Sequence, residues 1–189
     1  MLDCDVEEPN AHLFVKASLS ATEDVTVSKP VWEEARCTGC GRCAEACNYN
    51  AIAVLKGSSR GGREGKVLIF NELCHACGAC AYVCPADALR EEPAVIGRIE
   101  SAPPAGGLPF YFAHGLLNIG ETLAPKVVEA VKAHSDSEAI NIVDASPGTA
   151  CPVVKALENA DVAALLTEPT PFGLNDLKLA VGMTLEMGI

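Results

Sequence analysis

Beyond residue 94 the apolar positions fall into short runs and helical stripes. Val95–Glu100 alternates as a strand does, Ser101–Gly107 is a Pro/Gly loop, and two further strand-like runs end near Gly120. Thr122 is placed to cap a helix whose inward face carries Leu123, Val127, Val128 and Val131. Ala139–Asp144 (AINIVD) reads as a buried strand ending in an acid, and Pro152 suits the first turn of a short helix through Leu157. Asp161–Thr167 (DVAALLT) reads as another buried strand, and Leu177, Val181, Thr184 and Leu185 as the inward face of a last helix. Leu2–Asp5 looks like a strand end. Near-continuous apolar strands alternating with helices predict an α/β fold with a parallel sheet.

Residues 31–93 follow a different pattern, set by an internal repeat. Cys37–Ile52 (CTGCGRCAEACNYNAI) and Cys74–Leu89 (CHACGACAYVCPADAL) align without gaps at an offset of 37 residues. They share all four cysteines, the glycine after the second, and two alanines. Between them lie a Gly/Ser/Arg-rich turn (Gly57–Gly65) and a strand-like run, Lys66–Phe70, and the whole is flanked by Pro30 and Pro93.

Composition narrows the chemistry. The chain has 189 residues, 49% hydrophobic and 21% charged, enough apolar content for a buried core. A formal net charge of −11 argues against nucleic-acid backbones and anionic membrane surfaces, which need clustered Lys and Arg. There is no apolar run of transmembrane length and no basic-then-apolar leader, so a soluble, cytoplasmic protein is expected. Eight of the ten cysteines sit in two C-x-x-C-x-x-C-x-x-x-C runs, a density that in a reducing compartment signals metal binding rather than disulfides.

These runs resemble bacterial-type two-cluster ferredoxins. A C-x-x-C-x-x-C loop wraps three thiolates around a [4Fe–4S] cube, and in such ferredoxins the fourth ligand comes from the other run. On that rule one cluster takes Cys37, Cys40, Cys43 and Cys84, and the other takes Cys74, Cys77, Cys80 and Cys47. Gly41 and Gly78 let the backbone turn tightly around the sulfides. Two structural zinc sites are the alternative, since four thiolates also suit tetrahedral Zn²⁺, although zinc ribbons favour two separated C-x-x-C knuckles. The first run ends Cys47-Asn48 where the second has Cys84-Pro85, a change in a turn rather than in a ligand. His75 has a register that points it away from the cube, and Cys4 and Cys151 read as small thiols outside the ligand set.

Three further stretches lie at strand ends: Leu2–Asn10 (LDCDVEEPN), Ile142–Pro152 (IVDASPGTACP) and Leu165–Thr170 (LLTEPT). In α/β sheets, ligands bind beyond the carboxyl ends of the strands. Together the stretches resemble the MinD/ParA/Mrp family of P-loop ATPases, closest to the subfamily with an inserted two-cluster ferredoxin domain. The resemblance implies a partial parallel-sheet MinD-like nucleotide-binding domain at 1–30 and 94–189, and an inserted α+β ferredoxin domain at 31–93. It implies Asp5 and Asp144 as catalytic acids, Asp5 orienting the attacking water or touching Mg²⁺ and Asp144 holding Mg²⁺ through water. Asp3, Gly148, Thr167, Glu168 and Pro169 would line the nucleotide. Such ATPases begin with a K-G-G-x-G-K-[ST] loop that cradles the phosphates, and this sequence has none. Arg60–Val67 (RGGREGKV) is one residue too long and has Val67 where a Mg²⁺-binding hydroxyl is needed. The resemblance therefore implies a fragment, inactive alone, with ATP and Mg²⁺ as cofactors only when the loop is supplied.

The leading expectation is an iron–sulfur electron-transfer or redox module built into a MinD-like ATP-binding protein, with a redox partner protein and a homodimer or paralogue dimer implied for the longer form. A cluster carrier or assembly scaffold and a free-standing ferredoxin are the alternatives. Four cysteines per cluster favour electron transfer, because donation needs a labile site.

Overall fold

The computed structural model describes residues 1–56, 65–105 and 108–189. Residues 57–64, which hold most of the Gly57–Gly65 turn and the start of the Arg60–Val67 stretch, lie outside the described residues, as do Gly106 and Gly107. In chain order the elements are β1 (Leu2–Asp3), α1 (Ala11–Val15), β2 (Ala21–Trp32), α2 (Arg42–Glu45), β3 (Ile52–Lys56), β4 (Gly65–Ile69) and α3 (Ala79–Tyr82). β5 (Leu89–Ala102), β6 (Phe112–Leu117), α4 (Ala124–Lys132), β7 (Val143–Asp144), α5 (Cys151–Leu157) and α6 (Pro171–Met187) follow. Five strands form one mixed sheet in the order β2-β5-β6-β1-β7, and β3 and β4 form a separate antiparallel pair. The chain divides into two compact units, one of residues 1–23, 97–117 and 124–189, the other of residues 24–96 and 118–123.

The first unit contains the parallel part of the sheet. β1 runs parallel to β6 on one side and to β7 on the other, while β6 is antiparallel to β5. The strand β6 is buried because α4 lies on it with the stripe expected from its periodicity: Val127, Val128 and Val131 are fully buried. Gly115 makes that contact possible. A Cβ there would meet the methyls of Val131, Val127 and Val6 at 2.7–2.8 Å, closer than side chains approach. A second apolar group, Ala11, Ala102, Leu108 and Phe112, is packed by Met1, Val15, Ala17 and Leu19.

The second unit repeats its own backbone. Single 3-10 turns at Glu34–Arg36 and Asn71–Leu73 precede the cysteine loops, and the one-turn helices α2 and α3 follow them, each pair 37 residues apart like the sequences. Positive φ angles recur in register at Gly39 and Ala76, Gly41 and Gly78, and Asn50 and Asp87. The small core between the halves is Ile52, Val67, Cys80 and Leu89. A buried ion pair, Lys29 Nζ to Glu121 at 2.7 Å, ties residues 118–123 into this unit. Among the described residues, no helix is long and apolar enough to cross a membrane.

Several elements differ from the sequence reading. β2, twelve residues long, carries no apolar periodicity, because the segment ATEDVTVSKPVW is largely exposed and buries only Val25, Lys29 and Pro30. Ala139–Asp144 yields strand only at Val143–Asp144, matching the two residues of its partner β1, and Ile140 and Ile142 are exposed. Asp161–Thr167 has no strand, and Val162 and Leu166 are exposed. Along α6 it is Thr184 that is buried, whereas Val181 and Leu185, expected to face inward, are exposed. Thr122, expected to cap α4, donates its hydroxyl to the carbonyl of Glu72, and the helix begins at Ala124.

Candidate metal centre

Gly41 and Gly78 each open a one-turn helix in the left-handed conformation, at φ 84° and 74°. That conformation costs an L-residue with a Cβ about 1–2 kcal/mol, so glycine is the residue that turns the loop from its first two cysteines into the helix bearing the third. α2 then packs against α3, which brings the end of each run beside the start of the other. The result is two hollows. One is lined by Cys37, Cys40 and Cys43 of the first run together with Cys84 of the second. The other is lined by Cys74, Cys77 and Cys80 of the second run together with Cys47 of the first.

Each hollow measures about 350 Å³, counting the space open to solvent. Among the described residues, no three His, Cys, Asp or Glu side chains gather closely enough to hold one metal ion. Four thiolates on a single zinc would have to gather to ~4 Å from one another, whereas a cube takes each thiolate at a separate corner. Thiols ringing a hollow fit the multi-atom group.

The donor chemistry fits as well. Backbone N–H groups already point at the ligand sulfurs: Gly39 donates to Cys37 Sγ at 3.4 Å, Ala51 to Cys47 Sγ at 3.3 Å and Ala88 to Cys84 Sγ at 3.2 Å. The last two are equivalent by the repeat, and each anchors the cysteine that serves the opposite hollow. Burial pushes the Cys80 thiol up to about 11 and raises that of Cys43, while the exposed Cys40 is pulled down by the backbone N–H of Arg42. To ligate iron, these thiols would have to give up their protons, so cluster loading would be coupled to proton release.

Aromatic side chains distinguish the two hollows, and periodicity singled out neither of them. Trp32 borders the first hollow, and its indole Nε1 is buried with no hydrogen-bond partner among the described residues. Tyr49 and His75 border the second and stack with ring centroids 3.7 Å apart and planes 10° apart. His75 is exposed on that stack.

Comparison with known proteins bears on this unit directly. Residues 36–88 match the 4Fe-4S dicluster domain family. The chain carries a ferredoxin-type iron–sulfur domain. Over its whole length the chain is 32% identical to uncharacterized protein MJ0579 of Methanocaldococcus jannaschii, of which it covers 65%. Over 93% of its length it is 30% identical to uncharacterized protein MJ0578 of the same organism, covering 58% of that protein. The chain thus spans a little under two thirds of the length of these curated relatives.

Outside the ferredoxin-type domain, the acids singled out at strand ends fall into two groups. Asp3 and Asp144 are register partners on the parallel strands β1 and β7, and Asp5 accepts a hydrogen bond from Ser146 Oγ at 2.9 Å. Asp3 is buried, and its carboxylate accepts the N–H groups of Asp5 and Ala11 at 3.1 and 3.0 Å. Burial raises its pKa above the usual carboxylate range and the charge of Asp144 adds to the rise, against those two hydrogen bonds. Asp3 therefore fixes the loop after β1, while Asp144 and Gly148, at φ 92°, are exposed. Thr167, Glu168 and Pro169 form the entry to α6: Thr167 Oγ1 donates to the Gly173 carbonyl, and Thr170 caps the helix by accepting from Gly173 N–H. Of the two remaining cysteines, Cys4 is buried with its thiol pushed up to about 12, and Cys151 is exposed at the start of α5.

Proposed function

We propose that the ferredoxin-type domain binds two [4Fe–4S] clusters and moves single electrons between protein partners. Support comes chiefly from one observation: each hollow is ringed by three cysteines of one run and the fourth of the other. Four protein thiolates per cluster leave no labile position, which favours electron transfer over cluster donation. The clusters supply the one-electron chemistry when bound. The chain would hold one by Cys37, Cys40, Cys43 and Cys84 and the other by Cys74, Cys77, Cys80 and Cys47, with backbone N–H groups donated to the Cys37, Cys47 and Cys84 thiols and with Trp32 bordering one hollow, Tyr49 and His75 the other. Protein loaded anaerobically is expected to hold about eight iron and eight acid-labile sulfide per chain. Stoichiometric zinc without sulfide in protein purified anaerobically would overturn the reading.

A second reading concerns the first unit, where Asp3 and Asp144 meet at the carboxyl ends of parallel strands and Asp5 is bonded to Ser146. There we propose a partial MinD-like nucleotide site in which Asp5 and Asp144 serve Mg²⁺ and water, completed by a Gly-rich phosphate loop that this sequence does not contain. It requires that this chain alone fail to hydrolyse Mg²⁺–ATP and gain hydrolysis when such a loop precedes it, as a phosphate-release assay would read. Hydrolysis unchanged by Asp144→Ala in that longer protein would contradict it.

A further inference from the structure

The hollow ringed by Cys37, Cys40, Cys43 and Cys84 is bordered by a donor that has no acceptor among the described residues. Trp32 ends β2 five residues before Cys37 and packs against the Ile52, Val67, Cys80 and Leu89 core. Its Nε1–H is out of reach of solvent and has no hydrogen-bond partner among the described residues. A buried indole N–H normally finds a partner, and leaving a buried donor unpaired costs about 1–3 kcal/mol. None of the described residues accepts it, and the hollow that Trp32 borders is where a bound cluster would bring sulfur acceptors.

Resting on the two-cluster reading above, we propose that Trp32 Nε1–H donates a hydrogen bond to a sulfur of the cluster held in this hollow, and thereby raises that cluster's reduction potential above its neighbour's. An added electron places more negative charge on the cluster sulfurs. An N–H dipole aimed at one of them stabilises the reduced form more than the oxidised form, so the couple moves positive. The step is one electron in, with no proton moved and no bond formed or broken. The device is one-sided. The repeat places Ile69 at the position matching Trp32, five residues before Cys74, and an isoleucine carries no donor. Two clusters with equivalent ligands are thereby made unequal, and the first electron to enter comes to rest on the cluster beside Trp32.

The test is Trp32→Phe in the full chain, loaded anaerobically and titrated with a mediator-coupled reductant while each cluster is followed by electron paramagnetic resonance. Phenylalanine keeps the aromatic packing and removes only the N–H. With iron content unchanged, one couple is expected to move to more negative potential and the other to stay. If neither couple moves, or both move equally, the hydrogen bond is not there. The unmodified protein gives an independent reading, because Trp32 is the single tryptophan of the chain. With an isotope-labelled indole nitrogen, a hyperfine coupling to a reduced cluster is expected, and its absence would overturn the proposal even if the variant failed to fold. Failure of the two-cluster reading is distinguishable: the unmodified protein would then bind no iron–sulfur cluster at all.

Discussion

At Gly41 and Gly78 the same backbone conformation is met in two different surroundings. A Cβ added at Gly41 would enter open space, so Gly41→Ala carries the left-handed backbone cost alone, about 1–2 kcal/mol. At Gly78 the Cβ would also press on the Glu91 carboxylate at 3.2 Å, the far end of a flexible side chain that can move aside. Both alanine variants are therefore expected to lower the denaturation midpoint of the loaded protein, Gly78→Ala slightly more. The converse change is available at Ala76, which sits at φ 50° where the matching residue of the first half is Gly39. Ala76→Gly is expected to raise the midpoint, and a fall there would mean that the left-handed strain is not what decides these sites. The glycines and ligand cysteines were legible because a cube dictates both spacing and turn. Trp32 and Tyr49 were not, because an aromatic near a cysteine run has no periodicity of its own. The one clue to Trp32 was the failure of the repeat to supply an aromatic at Ile69.

Elements hold together here by specific caps as much as by apolar faces. α5 is seven residues long, too short to persist alone in water. Lys132, at the end of α4, reaches its carboxyl end and donates from Nζ to the carbonyls of Lys155, Ala156 and Glu158 at 3.0, 2.8 and 2.5 Å. A cation at a helix C-terminus also meets the negative end of the helix dipole. Lys132→Met keeps the stem and removes the donors, and is expected to destabilise the first unit by about 1–3 kcal/mol in chemical denaturation. An unchanged midpoint would show that the carbonyls are satisfied equally well by water. The stripe on α4 was plain from the sequence, since a helix makes its own hydrogen bonds and needs only a face to bury. Strands need a neighbour. The run Ala139–Asp144 is apolar enough for a buried strand, yet only Val143 and Asp144 become one, opposite the two residues of β1. Asp161–Thr167, equally apolar, forms none. Apolar content told which segments could be buried, and pairing decided which were strands.

Across the molecule, the repeat is where sequence, backbone and chemistry coincide. The 3-10 turns, the positive φ angles and the N–H···S bonds from Ala51 and Ala88 all recur at the offset of the cysteine runs. That symmetry makes exchange of the fourth ligand geometrically natural, since each run ends where the other begins. The charge of −11 adds a field that opposes electron entry and so would favour low potentials for the two proposed clusters. In the rest of the chain Asp3 and Asp144 are register partners on adjacent strands, and Asp3 is committed to the N–H groups of Asp5 and Ala11, a commitment no strand-end pattern reveals. The central claim is crossed ligation, and the Cys84→Ser variant tests it most directly. After anaerobic loading, its electron paramagnetic resonance spectrum should show the same cluster altered as in Cys40→Ser, with the cluster altered by Cys77→Ser left intact. If Cys84→Ser instead reproduces Cys77→Ser, each run ligates its own cluster and the account is contradicted.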